Sequence, residues 1–306
     1  MSDAKLKKLS FEEMFRSTSM FYKDEELEQK IKAEIEKETQ IIMKELITID
    51  SKETLCRYIL DNKDSLQRLT SLCGISVERF KRVVSLLRKN TGSLFRTEWG
   101  LGSIQKAMIE NAIFREKILS LFWNGCHDPE FIQQIPNFYL EDLSFNGGVI
   151  NKIKDEWLVK KLVKQGIEGK YSNAVGDSIL SKIEDEIQGV CATYCLDYQR
   201  DVRVPFLDRN VSFILENPEN PKIIFDVSYC VTTSSSQGAK KESARKTRDI
   251  KSQRDFIYIN FLDGAGWVAR QSDMEEIHRC SDYVLNFANL GAFEDIIKFY
   301  EKRIKG

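Results

Sequence analysis

The chain has 306 residues, 42% apolar and 30% charged, with a formal net charge of −1. That length holds one large domain or two ordinary ones, each with its own core; the near-zero charge argues against an indiscriminate polyanion binder but leaves room for a local basic surface. No apolar run approaches the ~20 residues of a membrane helix, the polar start Met1-Ser2-Asp3-Ala4-Lys5 lacks the apolar core of a signal peptide, and seven scattered cysteines complete no zinc spacing and read as reduced thiols of a cytoplasmic protein.

The first half is helical in pattern. From about Glu25 to Leu46 the chain is charged, rich in helix formers and free of Gly and Pro. Apolar Ile31, Ile35, Ile42 and Leu46 recur at near-helical spacing, interrupted by Thr39, which predicts an amphipathic packing or dimerisation helix. In the segment 64–90, Leu66, Leu69 and Leu72 end at Cys73-Gly74, and Ser76 can cap a second helix bearing Phe80, Val83, Val84 and Leu87. Helix, glycine turn and capped helix fit a helix-turn-helix, although any helical hairpin gives the same pattern. Its second helix carries Arg79, Lys81, Arg82, Arg88 and Lys89, with Arg79 and Arg82 as candidate DNA contacts. Thr97 to Gly102 reads as a loop, and a helical pattern resumes from Ile104 to Trp123. Asn124-Gly125, Asp128-Pro129 and Asn146-Gly147-Gly148 then break the chain. The last break separates a helical region, 1–148, for target recognition or dimer contacts, from an α/β domain, 149–306.

In that second region Asp208–Glu216 and Lys222–Tyr229 are strand-like runs joined by Asn217-Pro218-Glu219-Asn220-Pro221, whose prolines cannot continue a paired strand. Folded about that turn, Asp226 falls opposite Asn210 and Ser228 opposite Asp208. Strand alternation then gathers Asp208, Asn210, Ser212, Asp226 and Ser228 on one face, and Val211, Phe213, Leu215, Ile223, Phe225 and Val227 on the other. Two converging carboxylates suit a hard divalent ion such as Mg²⁺, the metal that phosphodiester hydrolysis needs for charge neutralisation and water activation. Asp208 and Asp226 are the candidate metal ligands, with Ser228 placed to position water or phosphate; a surface hairpin with solvated carboxylates is the bland alternative. The small, polar run from Val231 to Gly238 follows. Then Ala239 to Arg254, a predicted helix, sets seven cations against two acids, a local net charge of +5. Its Lys240, Lys241, Arg245 and Lys246 are candidate phosphate contacts. Asp255 to Leu262 reads as an apolar strand closed by the turn Asp263-Gly264-Ala265-Gly266-Trp267, with Trp267 sealing the core. After another helix, Asp282 to Phe287 reads as a last strand and Phe293 to Lys305 as a last helix.

Three stretches together resemble a known family: Phe225-Asp226-Val227-Ser228-Tyr229 with the loop through Gly238 and Lys240 to Ala244-Arg245; Phe261-Leu262-Asp263-Gly264-Ala265-Gly266-Trp267; and Tyr283-Val284-Leu285-Asn286 leading to Leu290. With Gly176-Asp177 opening a helix at 176–188, the order helix, acidic hairpin, helix, strand resembles the PD-(D/E)XK nuclease fold over about residues 170–306. Within that fold, the C-terminal half is similar to type II restriction endonucleases, most closely the group that cuts at GATC. The resemblance implies Mg²⁺-dependent, sequence-specific hydrolysis of double-stranded DNA, and a homodimer for a palindromic target. It implies that Asp226 is the family's second carboxylate. Ser228 takes the place usually written K, so charge stabilisation would fall to Lys240 or Lys241. The family's first aspartate aligns with fewest gaps onto Ser212, whereas hairpin geometry favours Asp208. The opening helix often lends a glutamate; the simplest register gives Leu180, with Glu184 one turn later. These departures keep open a catalytically impaired nuclease fold that only binds DNA. An unrelated interaction protein is the remaining rival. His127 and His278 lie far apart without a serine or cysteine partner, which argues against a nucleophile–histidine hydrolase.

Overall fold

The computed structural model describes residues 6–92, 94–141, 143–233 and 235–305. The chain divides into two compact units, one of Glu25–Ser172 and one of Met1–Asp24 with Asn173–Gly306. Helix α1 (Phe11–Ser17), which starts in a capping box between Ser10 and Glu13, belongs to the second.

The first unit is all-helical. It holds α2 (Glu25–Glu45), α3 (Lys52–Asp61), α4 (Ser65–Leu72), α5 (Val77–Asn90), α6 (Leu101–Glu110), α7 (Ala112–Asn124), the short α8 (Pro129–Ile132), α9 (Asn137–Leu140) and α10 (Ile150–Ile153), and the start of α11 (Glu156–Tyr194). The apolar stripe is buried at Ile35 and Ile42 of α2 and at Leu46, which opens the 3-10 turn after it. Thr39 is buried too, because its hydroxyl donates to the Ile35 carbonyl at 2.7 Å. The helix-turn-helix shape is present: Gly74 turns at φ +66° and the Ser76 side chain accepts from the Arg79 N–H. The run from Ile104 to Trp123 is two helices, since Asn111 is extended and its side chain caps α7. The segment 146–148 does not separate the units. It lies in a π-helical turn, Phe145–Val149, that leads directly into α10, with Phe145 and Val149 in the helical core.

The second unit carries β1 (Tyr198–Val204), β2 (Arg209–Leu215), β3 (Ile223–Tyr229), α12 (Ser235–Lys251), β4 (Ile257–Asp263), α13 (Ala265–Ala269), α14 (Gln271–Cys280), β5 (Tyr283–Leu285) and α15 (Ala292–Lys305). Its sheet runs β1-β2-β3-β4-β5, antiparallel from β1 to β3 and parallel from β3 to β5. The parallel pairs follow from the helical crossovers α12 and α13–α14. Strand β1 was not expected. It is an edge strand, and its charged, largely exposed sequence hides the alternation of a strand. One face of the sheet buries Ile214, Ile224, Tyr258 and Leu262 with Trp267, Met274 and Ile277. On the other, Phe213, Phe225 and Phe293 meet edge to face. The arm before α2 docks on this unit: Met14 is fully buried in its core, and the Ser19 N–H and hydroxyl both donate to Asp263. Gly264 is required at the turn after β4, because its φ is +103° and a Cβ would lie 2.3 Å from the Cys230 carbonyl oxygen.

Candidate active site

Strands β2 and β3 pair at Phe213↔Phe225, Ile214↔Ile224 and Leu215↔Ile223. Continued, that register sets Ser212 against Asp226, two residues from the expected Asn210. The ladder stops at this point, where the Val227 N–H donates to the Ser212 hydroxyl at 3.0 Å. Beyond it β2 follows β1 and its alternation slips. Val211 and Ile214 both join the core of Ile224, whereas Phe213 packs on Phe225 across the sheet. Strand β1 adapts beside it with Asp201 in the left-handed region, φ +50°. The slip brings Arg209, and not Asp208 or Asn210, to the side of Asp226.

The expected Asp208–Asp226 pair is therefore corrected. Asp208 ends the short turn Pro205–Leu207 at φ 52°, with an exposed side chain paired to Arg203. Asp226 is 4% exposed. Arg209 grips it bidentately, at 2.9 Å to Oδ1 and 2.6 Å to Oδ2, and the Tyr258 hydroxyl donates to Oδ2 at 2.9 Å. The same guanidinium donates to the Asn210 carbonyl at 3.1 Å and the Thr247 hydroxyl at 3.0 Å. Burial works to raise the Asp226 pKa, but Arg209, the nearby Lys240 charge and the Tyr258 hydrogen bond outweigh it and hold the carboxyl below the usual carboxylate range. Burial and the Asp226 charge push the Tyr258 hydroxyl up.

Ser228 is on the Asp226 side and buried; its hydroxyl is 3.9 Å from the Cys230 thiol, and its carbonyl accepts from Trp267 Nε1 at 3.1 Å. Lys240 donates to the Val227 carbonyl at 3.4 Å. Glu184, on α11, accepts from Arg200 at 2.6 Å and Tyr198 at 3.4 Å, so its carboxylate is committed to β1. A divalent ion needs open carboxylate oxygens. Both Asp226 oxygens are taken, Asp208 and Glu184 are paired elsewhere, and among the described residues no group of three or more His, Cys, Asp and Glu is placed to hold a metal. In these pairings, the residues expected to bind Mg²⁺ do not fit it.

Around this corner α11, the antiparallel meander β1–β3, the crossover helix α12 and the parallel strand β4 follow one another. Residues 154–304 match the model of the BanI C-terminal domain. This is a restriction-endonuclease family domain, and the match spans just under half of the chain. It supports a restriction enzyme, with DNA as substrate, built as a helical region followed by an α/β restriction-endonuclease-like domain. No curated protein matches the chain.

Within the α/β unit the basic helix is largely neutralised. Lys241 pairs with Asp273 at 2.5 Å, Arg245 with Glu276 at 2.9 Å, and Lys251 with Asp282. Arg254 lies over the Phe206 ring at 4.2 Å. Lys246 is exposed, with no ion pair among the described residues. In the helical unit, Arg79 lies 5.3 Å from the Tyr139 ring and 5.8 Å from that of Phe138, while Arg82 pairs with Glu98. Sequence reasoning missed Arg209 and Tyr258. Arg209 shares the alternation of Val211, which looked like core facing away from Asp226; only the pairing with β1 reveals the slip. Tyr258 lay in a run that reads as plain apolar strand.

Proposed function

We propose that the chain is a type II restriction endonuclease that cuts double-stranded DNA at specific sites, as a homodimer on palindromic targets, with Mg²⁺ as cofactor and a PD-(D/E)XK-type domain. The observation that carries this reading is the match to the BanI C-terminal domain over the five-stranded unit. The candidate phosphate contacts are Lys240 beside Asp226 and the exposed Lys246; the helix-turn-helix, with Arg79 and Arg82, is the candidate target reader. No catalytic step is assigned to Asp208 and Asp226, whose oxygens face arginines.

That pairing favours a second reading, a nuclease fold that binds DNA without cutting it. The test is plasmid cleavage by the full chain, with Mg²⁺, with Mn²⁺ and with chelator, beside DNA affinity measured against salt. Discrete, metal-dependent fragments establish the endonuclease, and their sequenced ends give the target. Salt-dependent affinity without cleavage of methylated or unmethylated DNA selects the binding protein. Neither activity removes both readings.

A further inference from the structure

The N-terminal arm lies at the carboxyl ends of β3 and β4. There the Gly264 N–H donates to the Ser19 carbonyl at 3.1 Å and the Ala265 N–H to the Met20 carbonyl at 2.9 Å. The Tyr22 N–H donates to the Tyr229 hydroxyl at 2.6 Å, and the Tyr22 ring stacks on Phe287 at 5.2 Å. The backbone is thus pinned on both sides of Phe21, yet that ring is 70% exposed. Single exposed apolar residues are ordinary, but this one has company. Met20 beside it is 49% exposed, and Val231, in the loop after β3, is 43% exposed. The loop is tied to the same turn, where the Gly266 N–H donates to the Cys230 carbonyl at 2.7 Å.

Lysines contact the Tyr22 ring next to the tip and the end of β3. Lys182 Nζ lies 5.7 Å from the Tyr22 ring centroid and 5.4 Å from that of Phe287. Lys240 reaches the Val227 carbonyl at the end of β3. The carboxyl ends of parallel strands are where α/β sheets take their ligands. An exposed aromatic held by its backbone, with Lys182 on the ring of the adjacent Tyr22, fits DNA: such a ring can wedge between base steps, and ammonium groups meet phosphates.

We infer that the Met20–Phe21 tip, with Val231, Lys182 and Lys240, is a DNA-contacting surface in which Phe21 wedges between base steps. The inference rests on the DNA-acting reading above and adds a contact from the opposite end of the chain. It is tested with the full-length protein, its Phe21→Ala and Phe21→Trp variants, and Phe299→Ala as a control for another exposed aromatic, 41% exposed on α15. Duplex DNA affinity is read by fluorescence anisotropy at fixed salt, with melting temperature and solution mass measured alongside. Phe21→Ala should bind roughly tenfold more weakly with its melting temperature unchanged. Phe21→Trp fluorescence should be quenched by DNA, and Phe299→Ala should bind like wild type. Equal affinity of Phe21→Ala and wild type overturns the surface but leaves the DNA-acting reading standing. Wild type that binds no DNA at any salt overturns both. A mass that falls in Phe21→Ala makes the occupant a second copy of the chain and also overturns it.

Discussion

The two basic helices, α5 in the helical unit and α12 in the α/β unit, differ in how some of their cations are held. In α12, Lys241, Arg245 and Lys251 are bound by Asp273, Glu276 and Asp282, and the first two of these carboxylates are less than a tenth exposed. In α5, Lys81 and Arg82 are likewise paired, with Glu78 and Glu98, but Arg79 lies over the rings of Phe138 and Tyr139, and Arg88 sits 4.0 Å from the Phe95 ring and 3.7 Å from that of Trp99. A carboxylate cancels the charge it binds, whereas an aromatic ring leaves it whole. Two helices of equal formal charge can therefore differ in the field they leave for a partner, according to what holds each cation.

The deepest pairing in the α/β unit gives the largest expected effect. Asp226→Ala leaves Arg209 uncompensated and should cost about 3–5 kcal/mol, roughly 10 °C of melting temperature for a unit of this size. Asp208→Ala, at an exposed pair, should cost under about 1 kcal/mol. Equal calorimetric shifts in the two variants would break the contrast. The double variant Arg209→Met with Asp226→Leu should regain much of the loss, because an apolar pair of similar volume replaces the ions.

The pH dependence follows from the same carboxylate. Asp226 titrates below its unfolded value, so its contribution is complete above the ordinary carboxylate pKa of about 3.9. It fades as the pH falls through the lower folded value. Asp226→Asn should be less stable at neutrality and should lose less on acidification; urea titrations at several pH values check the slope.

Glu276→Gln removes the shared partner of Arg245 and Arg279. It should cost about 1–2 kcal/mol and steepen the salt dependence of DNA binding by about one unit, as a cation is released to phosphate. An unchanged slope would mean that α12 faces no DNA. A small stability effect is also expected at Arg79, whose ring contacts are worth under about 1 kcal/mol. Arg79→Ala should leave the melting temperature nearly unmoved yet make the salt slope shallower by about one. If neither the slope nor the affinity moves, the α5 face is not a DNA surface.

Much of the fold is written in local signals. The stripe of α2, the Ser76 cap, the glycine turns at Gly74 and Gly264 and the apolar strands β3 and β4 each rest on residues a few positions apart, and the sequence by itself determined them. The site was legible only in part. Asp226 and Ser228 share a side of the sheet as alternation requires, but the alternation of β2 slips at Ser212, and β1, whose exposed charges conceal it, decides where. Only the tertiary structure assigned Arg209 to Asp226, 17 residues away, Asp273 to Lys241, 32 away, and Asp263 to Ser19, 244 away. Hydrogen bonds and ion pairs depend on distances in space, which spacing along the chain reports only within a helix turn or a strand.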